Sequence, residues 1–246
     1  MKRFDGQVAL ITGAAVGIGR ATALCMAEQG ASLVLIDINE NCLDKLREEL
    51  LPYGTKALCY VADISDESRA KEIVSDAERI LGKIDILVNN AALWRDSVPF
   101  LESDSALWTK YISVNIMGTY FYTHAVLSGM VDRGYGRIIN VASVAGVYGN
   151  RKMVHYSTTK GAVISMTKGL AKEVAANGIT VNAVSPGTVS PASQEDIDYV
   201  QDSTMNYTGR TGSGRENAEL ICFLASREAG YINGQNIQID GCRKTL

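Results

Sequence analysis

The chain has 246 residues, with 24 basic and 27 acidic side chains for a net charge of −3, 46% hydrophobic and 21% charged residues. These proportions are ordinary for a folded globular chain and exclude collagen-like and disordered readings. The near-even charge balance leaves no sequence-wide footprint for nucleic acid or an anionic membrane, so any partner, small molecule or other, has to be read from a site.

Short β-branched and leucine-rich runs mark seven strands in chain order: Val8–Thr12, Leu33–Asp37, Ala57–Ala62, Ile86–Val88, Arg137–Val141, Thr180–Val184 and Asn236–Ile239. Helix-length segments separate them. Continuous apolar strands, buried on both faces, predict a parallel sheet between helix layers, a doubly wound Rossmann-type α/β fold. After Asp66 the apolar positions Ile73, Val74, Ala77, Ile80 and Leu81 form one helical stripe, with Gly82 as the expected C-cap. Length over ~150 residues per domain gives about 1.6. No linker or repeat divides the chain, so one unit over 1–246 is expected. The least regular stretch, Thr188 to Gly214, reads as a substrate loop.

Five cysteines without a C-x-x-C pair suit neither a disulfide framework nor a zinc site, and point to reduced thiols. His124 and His155 lack metal-ligand spacing, so no metal is expected. The apolar run Val8 to Ile11 is too short for a secretory leader, and no stretch reaches the ~18 residues of a membrane span. A cytoplasmic protein is the expectation.

The first strand runs into Thr12-Gly13-Ala14-Ala15-Val16-Gly17-Ile18-Gly19 and then a helix pattern. Glycines there allow a tight turn and let the backbone approach a pyrophosphate at a helix N-terminus, although a turn and a close helix–strand contact would also explain them. Asp37 closes the second strand 20 residues beyond Gly17, the spacing of a ribose-hydroxyl acceptor in dinucleotide folds. A carboxylate there repels a 2′-phosphate, and neither Val16 nor Ile38 supplies an offsetting cation. NAD is therefore favoured over NADP.

Tyr156 and Lys160 stand at i and i+4, on one helix face. Such a pair arises by chance about half a time in a chain of this composition, so its neighbours carry the case. Ser143 follows an apolar strand and so lies at a carboxyl edge, where doubly wound sheets bind ligands.

With Asp63 in Ala62-Asp63-Ile64, Asn89 to Ala92 as N-N-A-A, Asn115, and Pro186-Gly187, these elements resemble the short-chain dehydrogenase/reductase family along essentially the whole chain. The resemblance implies that Ser143 hydrogen-bonds the substrate oxygen and Tyr156 exchanges the proton. Lys160 would bind the nicotinamide ribose and lower the tyrosine pKa, and Asn115 would hold a water in the proton relay. Asp63 would meet the adenine and Asn90 would lie along the cofactor, as would Gly13, Gly17, Ile18, Gly19, Ile38, Ile64, Pro186, Gly187 and Val189. A phenol of ordinary pKa ~10 has to fall by about 3 to act as a base near neutrality, roughly 4 kcal/mol, and a cation has the right sign to assist. Two bland readings stand beside these roles: Asn115 as a backbone partner at a mid-helix kink, and Ser143 as a cap.

Departures from the pattern are Ala92 for a usual glycine, Pro191 where a threonine often contacts the cofactor, and Cys242 for the second glycine after Asp240-Gly241. The substrate is weakly encoded: Leu93, Trp94, Arg95, Ala145, Val147, Val154, Ser190 and parts of Tyr199 to Tyr207 are candidates for its wall. The preferred reaction is NAD-dependent oxidation of a secondary alcohol such as a polyol, sugar, cyclic alcohol or hydroxysteroid. The rivals are a 3-oxoacyl-thioester reductase, usually an NADPH enzyme, and a non-catalytic NAD-binding regulator. Surplus apolar residues over Ala106–Met130 and Tyr156–Ala176, where family members commonly pair, lead to an expected homotetramer.

Overall fold

The computed structural model describes residues 2–244; Met1, Thr245 and Leu246, at the ends of the expected 1–246 unit, lie outside the described residues. The chain runs β1 (Val8–Thr12), α1 (Gly17–Glu28), β2 (Ser32–Asp37), α2 (Glu40–Leu50), β3 (Ala57–Val61), α3 (Glu67–Leu81) and β4 (Ile86–Asn89). It continues through α4 (Ser105–Tyr111), a π-helical segment Ile112–Gly118, α5 (Thr119–Arg133), β5 (Gly136–Val141), α6 (Ala145–Tyr148), α7 (Val154–Val174), β6 (Ile179–Pro186), α8 (Gly214–Ala225) and β7 (Asn236–Ile239).

The seven strands form one sheet in the order β3-β2-β1-β4-β5-β6-β7, every pair parallel. The order reverses between β1 and β4, the switch point at which the flanking loops diverge and leave a crevice. Period-two alternation sends each strand's side chains to both helix layers. Leu33 and Leu35 join Ala9 and Ile11 in one apolar cluster, whereas Val34 and Ile36 join Val8 and Leu10 in the other. All eight residues of β6, one strand in from the edge, are buried, while edge strands β3 and β7 are only partly so.

Local chemistry sets the helix bounds. Asp66 caps α3 by accepting the Arg69 amide, and Gly82 ends it at φ 85°, as the sequence implies. Ala70, Ile73, Val74 and Ala77 bury its inner face. Ile80, expected on that stripe, instead remains 47% exposed, while Leu81 beside it packs against the buried cluster. No helix among the described residues is long and apolar enough to cross a membrane.

Candidate active site

The turn between β1 and α1 is built for close backbone approach. Gly13 adopts φ 62°, and a Cβ on it would lie 2.7 Å from Ala91 Cα; a Cβ on Gly19 would run into the Gly13 carbonyl. Asn90 fixes this turn by donating Nδ2–H to the carbonyls of Thr12 (3.1 Å) and Gly13 (2.9 Å), while Thr12 Oγ1 accepts the amides of Asn90 and Ala91. Val16 makes no side-chain cap, and the first turn of α1, with Gly17, Ile18 and Gly19, holds no acidic residue. A glycine cradle beneath an uncapped helix start fits a dinucleotide pyrophosphate.

Asp37 lies at the end of β2. Its Oδ2 accepts the Ala15 amide at 2.9 Å and its Oδ1 the Asn39 amide at 3.0 Å, so the carboxylate is fixed beside the glycine turn. Ile38 is 71% exposed next to it. Asp63 is exposed after β3 and accepts both the amide and the hydroxyl of Ser65, whereas Ile64 is buried against Gly118. At the end of β6 the Pro186 carbonyl accepts from Val144, and beyond it Gly187 donates to Ile239 and Val189 bridges to Gly212. These residues all line the carboxyl edge of the sheet.

The same edge collects the expected catalytic residues. Ser143 follows β5, and its Oγ accepts the Ala145 amide at 3.1 Å across the start of α6, whose N-cap is Val144. Burial raises the Tyr156 phenol above its ordinary pKa, and the Ser143 hydroxyl pulls it the other way. The expected lowering by Lys160 is not part of this balance. Burial pushes that ammonium itself down to about 8, and it donates to the Val141 carbonyl at 2.6 Å while lying 6.0 Å from the Tyr156 ring centre.

Asn115 is buried in the π-helical segment, a distortion frequent at functional positions. Its Oδ1 accepts the Leu93 amide at 2.8 Å, and its Nδ2 donates to the Leu93 carbonyl and to Thr159 Oγ1, each at 3.0 Å. The side chain thus ties three elements together, and the backbone-partner reading describes its contacts. Thr159 in turn donates to the Tyr156 carbonyl at 2.8 Å.

Two contributors escape sequence reasoning. Thr159 was visible only as the third residue after Tyr156, on an adjoining helical face. Tyr111 is fully buried, stacks edge-on to Tyr156 with centres 6.5 Å apart and accepts the Asp96 amide at 3.1 Å; only the fold reveals it. Of the expected substrate wall, Trp94 is half-exposed with Arg95 stacked at 5.2 Å, and Tyr207 is 74% exposed beneath Lys244. Ser190 uses its hydroxyl on Tyr199 and Thr211, fastening the loop instead of facing outward.

Comparison with known proteins agrees with this geometry. The family model of short chain dehydrogenase matches residues 7–201. A 3-oxoacyl-(acyl-carrier-protein) reductase of Thermotoga maritima is 41% identical over 97% of this chain and 98% of that protein. The 2-dehydro-3-deoxy-L-rhamnonate dehydrogenase (NAD(+)) of a Sphingomonas species is 33% identical, covering 99% and 98%. Among solved structures, an NAD+-bound xylitol dehydrogenase superposes with a TM-score of 0.90 at 32% identity, covering 98% of this chain and 100% of that one.

Proposed function

The chain belongs to the short-chain dehydrogenase family, and on that premise we propose that it transfers a hydride between NAD and a secondary alcohol or its ketone, with Tyr156 as general acid and base. It is an oxidoreductase acting on CH–OH groups, and its family uses a nicotinamide cofactor. The observation that carries the fuller reading is the meeting of Ser143, the partly buried Tyr156 and the buried Lys160 at one sheet edge, beside the glycine cradle. The preferred substrates are polyols, sugars, cyclic alcohols or hydroxysteroids.

When bound, the nicotinamide supplies the hydride acceptor for an alcohol carbon or the hydride donor for a carbonyl carbon. Gly13, Gly17, Ile18 and Gly19 would cradle the pyrophosphate. Asp37 would take the adenosine ribose next to Ile38, Asp63 and Ile64 the adenine, and Asn90, Pro186, Gly187 and Val189 the rest of the cofactor's length. Ser143 donates to the reacting oxygen and so fixes its distance from Tyr156. Tyr156 takes the hydroxyl proton in oxidation and returns it in reduction. Lys160 would hold the nicotinamide ribose from its place on the Val141 carbonyl. Asn115 positions Leu93 and Thr159 around this group.

Asp37 supports NAD over NADP. A second negative charge about 4 Å away costs roughly 4 kcal/mol near a protein surface, and the adjoining Val16 and Ile38 are uncharged. The exposed Ile112, Met117 and Tyr120, on the π-helical segment and α5, support self-association into a homotetramer, checked by mass measurement in solution. The five unpaired cysteines support a cytoplasmic setting, and the single sheet supports one functional unit over 1–246.

The 41% identical relative supports a second reading about equally: reduction of a 3-oxoacyl thioester. A non-catalytic NAD-binding regulator would have no use for the Ser143–Tyr156 pair. A panel of secondary alcohols with NAD, run beside acetoacetyl thioester with NADH and NADPH, separates the readings through absorbance of the reduced cofactor. Alcohol oxidation with NAD at the highest kcat/KM is expected; faster thioester reduction with NADPH would replace the first reading by the second.

A further inference from the structure

β7 runs parallel to β5 and β6, so the chain leaves it at the edge where Ser143 follows β5. There Gly187 packs against Asp240, whose Oδ1 accepts the amides of Cys242 at 3.0 Å and Arg243 at 3.3 Å. The segment beyond β7 then pairs with the loop before α8. Tyr207 donates its amide to the Cys242 carbonyl at 2.9 Å, Lys244 donates to Met205 at 3.0 Å, and Asn206 and Arg243 form an antiparallel bridge. From this fixed backbone Arg243 reaches across to the segment preceding α7, its Nη2 3.4 Å from Oδ1 of Asn150. Asn150 donates its own amide to Ser157 Oγ at 2.9 Å, one residue beyond Tyr156. The guanidinium is thereby linked, through Asn150, to the first turn of the helix that carries Tyr156 and Lys160.

Two features separate this contact from a passing surface encounter. Among the described residues, Lys152 and Cys242 are the only non-glycine residues at positive φ, 63° and 59°, and they flank its two sides. Such backbone conformations persist where the surroundings over-determine them, and they cluster at ligand clamps. Cys242, a glycine in the family pattern, thus keeps a left-handed turn immediately before Arg243. The guanidinium is also under-used: it has five N–H donors in a fork that matches a carboxylate, yet its side-chain partner among the described residues is a neutral amide oxygen at a long distance. It joins none of the ion pairs among the described residues, and Asp240 spends Oδ1 on backbone amides instead.

We infer that Arg243, steadied by Asn150, is a specificity-determining residue that receives a carboxylate on the substrate, so that the enzyme acts on a hydroxy acid or its oxo acid. This inference rests on the redox reading proposed above and, among secondary alcohols, selects those that carry a carboxylate in place of the uncharged classes preferred there. A charge-assisted, two-point contact of this kind discriminates strongly between a carboxylate and its neutral ester.

The test compares reduction of acetoacetate and methyl acetoacetate by NADH in the full-length wild type, Arg243→Gln and Arg243→Lys. The same ketone is presented with and without the charge, so each variant carries its own control for folding. Wild type is expected to favour acetoacetate in kcat/KM. Arg243→Gln should lower the acetoacetate-to-ester ratio at least about tenfold, through KM, and Arg243→Lys should lower it less. An unchanged ratio, or a wild type that favours the ester, overturns the inference. If neither compound is reduced, ligand-detected NMR titration reads binding alone. Tighter binding of acetoacetate than of the ester by wild type, abolished in Arg243→Gln, keeps the carboxylate site while the redox reading fails with these ketones; equal binding overturns the site.

Discussion

Lys160 donates its ammonium to the carbonyl of Val141, 2.6 Å away, from a position with no exposure to solvent beyond a trace. The last residue of β5 thereby anchors the cation of the site, and the strand that delivers Ser143 two residues later also sets where Lys160 points. The arrangement is costly. Burial alone brings the ammonium from an ordinary 10.5 to about 8, which corresponds to roughly 3 kcal/mol.

That cost has a definite pH dependence. Below about pH 8 both folded and unfolded chains hold the Lys160 proton, and the fold bears the full penalty. Between about 8 and 10.5 the unfolded chain binds more protons, so this contribution to stability rises with pH. Lys160→Met should therefore raise the unfolding free energy at pH 7 by about 1–3 kcal/mol, with a margin that shrinks toward pH 10, while turnover falls. Urea unfolding of both proteins at the two pH values checks this. A variant that loses stability at pH 7 would show that the bond to Val141 outweighs desolvation.

Ser143 pulls the Tyr156 phenol down against burial. Ser143→Ala should lift the phenol further above its ordinary value. The rising limb of the pH profile for alcohol oxidation then moves to higher pH, and kcat/KM near neutrality drops about 10²–10³-fold. A limb that stays in place would leave Ser143 only its hydrogen bond from the Ala145 amide.

Gly19 faces backbone, not flexible side chain: a Cβ there would collide with the Gly13 carbonyl and lie 2.6 Å from Asn90 Nδ2. Gly19→Ala is expected to weaken NADH binding at least about tenfold in a fluorescence titration, because it deforms the surface that approaches the pyrophosphate. Gly169→Ala is the control. Its Cβ meets nothing within 4 Å on α7, and it should be neutral or add up to about 1 kcal/mol of stability. Equal effects from the two would remove the cradle from the account.

The amide of Asn115 serves both the N–H and the C=O of Leu93 as well as Thr159. Asn115→Ala strands these groups inside the protein and should cost about 1–3 kcal/mol in thermal or denaturant unfolding. A loss of activity at unchanged stability would instead give the side chain a direct part in the proton relay.

Much of this architecture is legible in the sequence because buried parallel strands leave continuous apolar runs. β1 and β7 fall where Val8–Thr12 and Asn236–Ile239 predict, and β6 is longer than expected because Ser185 and Pro186 continue the ladder to Ile239. The glycine turn and Asp37 are equally readable, since each occupies a fixed spacing from a strand end. The internal wiring is not. Nothing in Ile112–Gly118 signals a π-helical turn, and the burial of Tyr111 against Tyr156 joins residues 45 positions apart. Cys242 reads as an oddity until its φ of 59° shows it holding a glycine's place. Ile80 has helical periodicity yet stands 47% exposed, at the flank of a stripe whose last core contact is Leu81.

The central claim is that Tyr156 moves the proton during hydride transfer to or from NAD. The most direct measurement is kcat/KM of wild type and Tyr156→Phe for the best secondary alcohol in the panel, followed through absorbance of NADH. The phenyl ring keeps the packing on Tyr111 and removes only the hydroxyl, so a fall of about 10²–10⁴-fold with intact NADH binding is expected. Turnover by Tyr156→Phe at the wild-type rate would contradict the account.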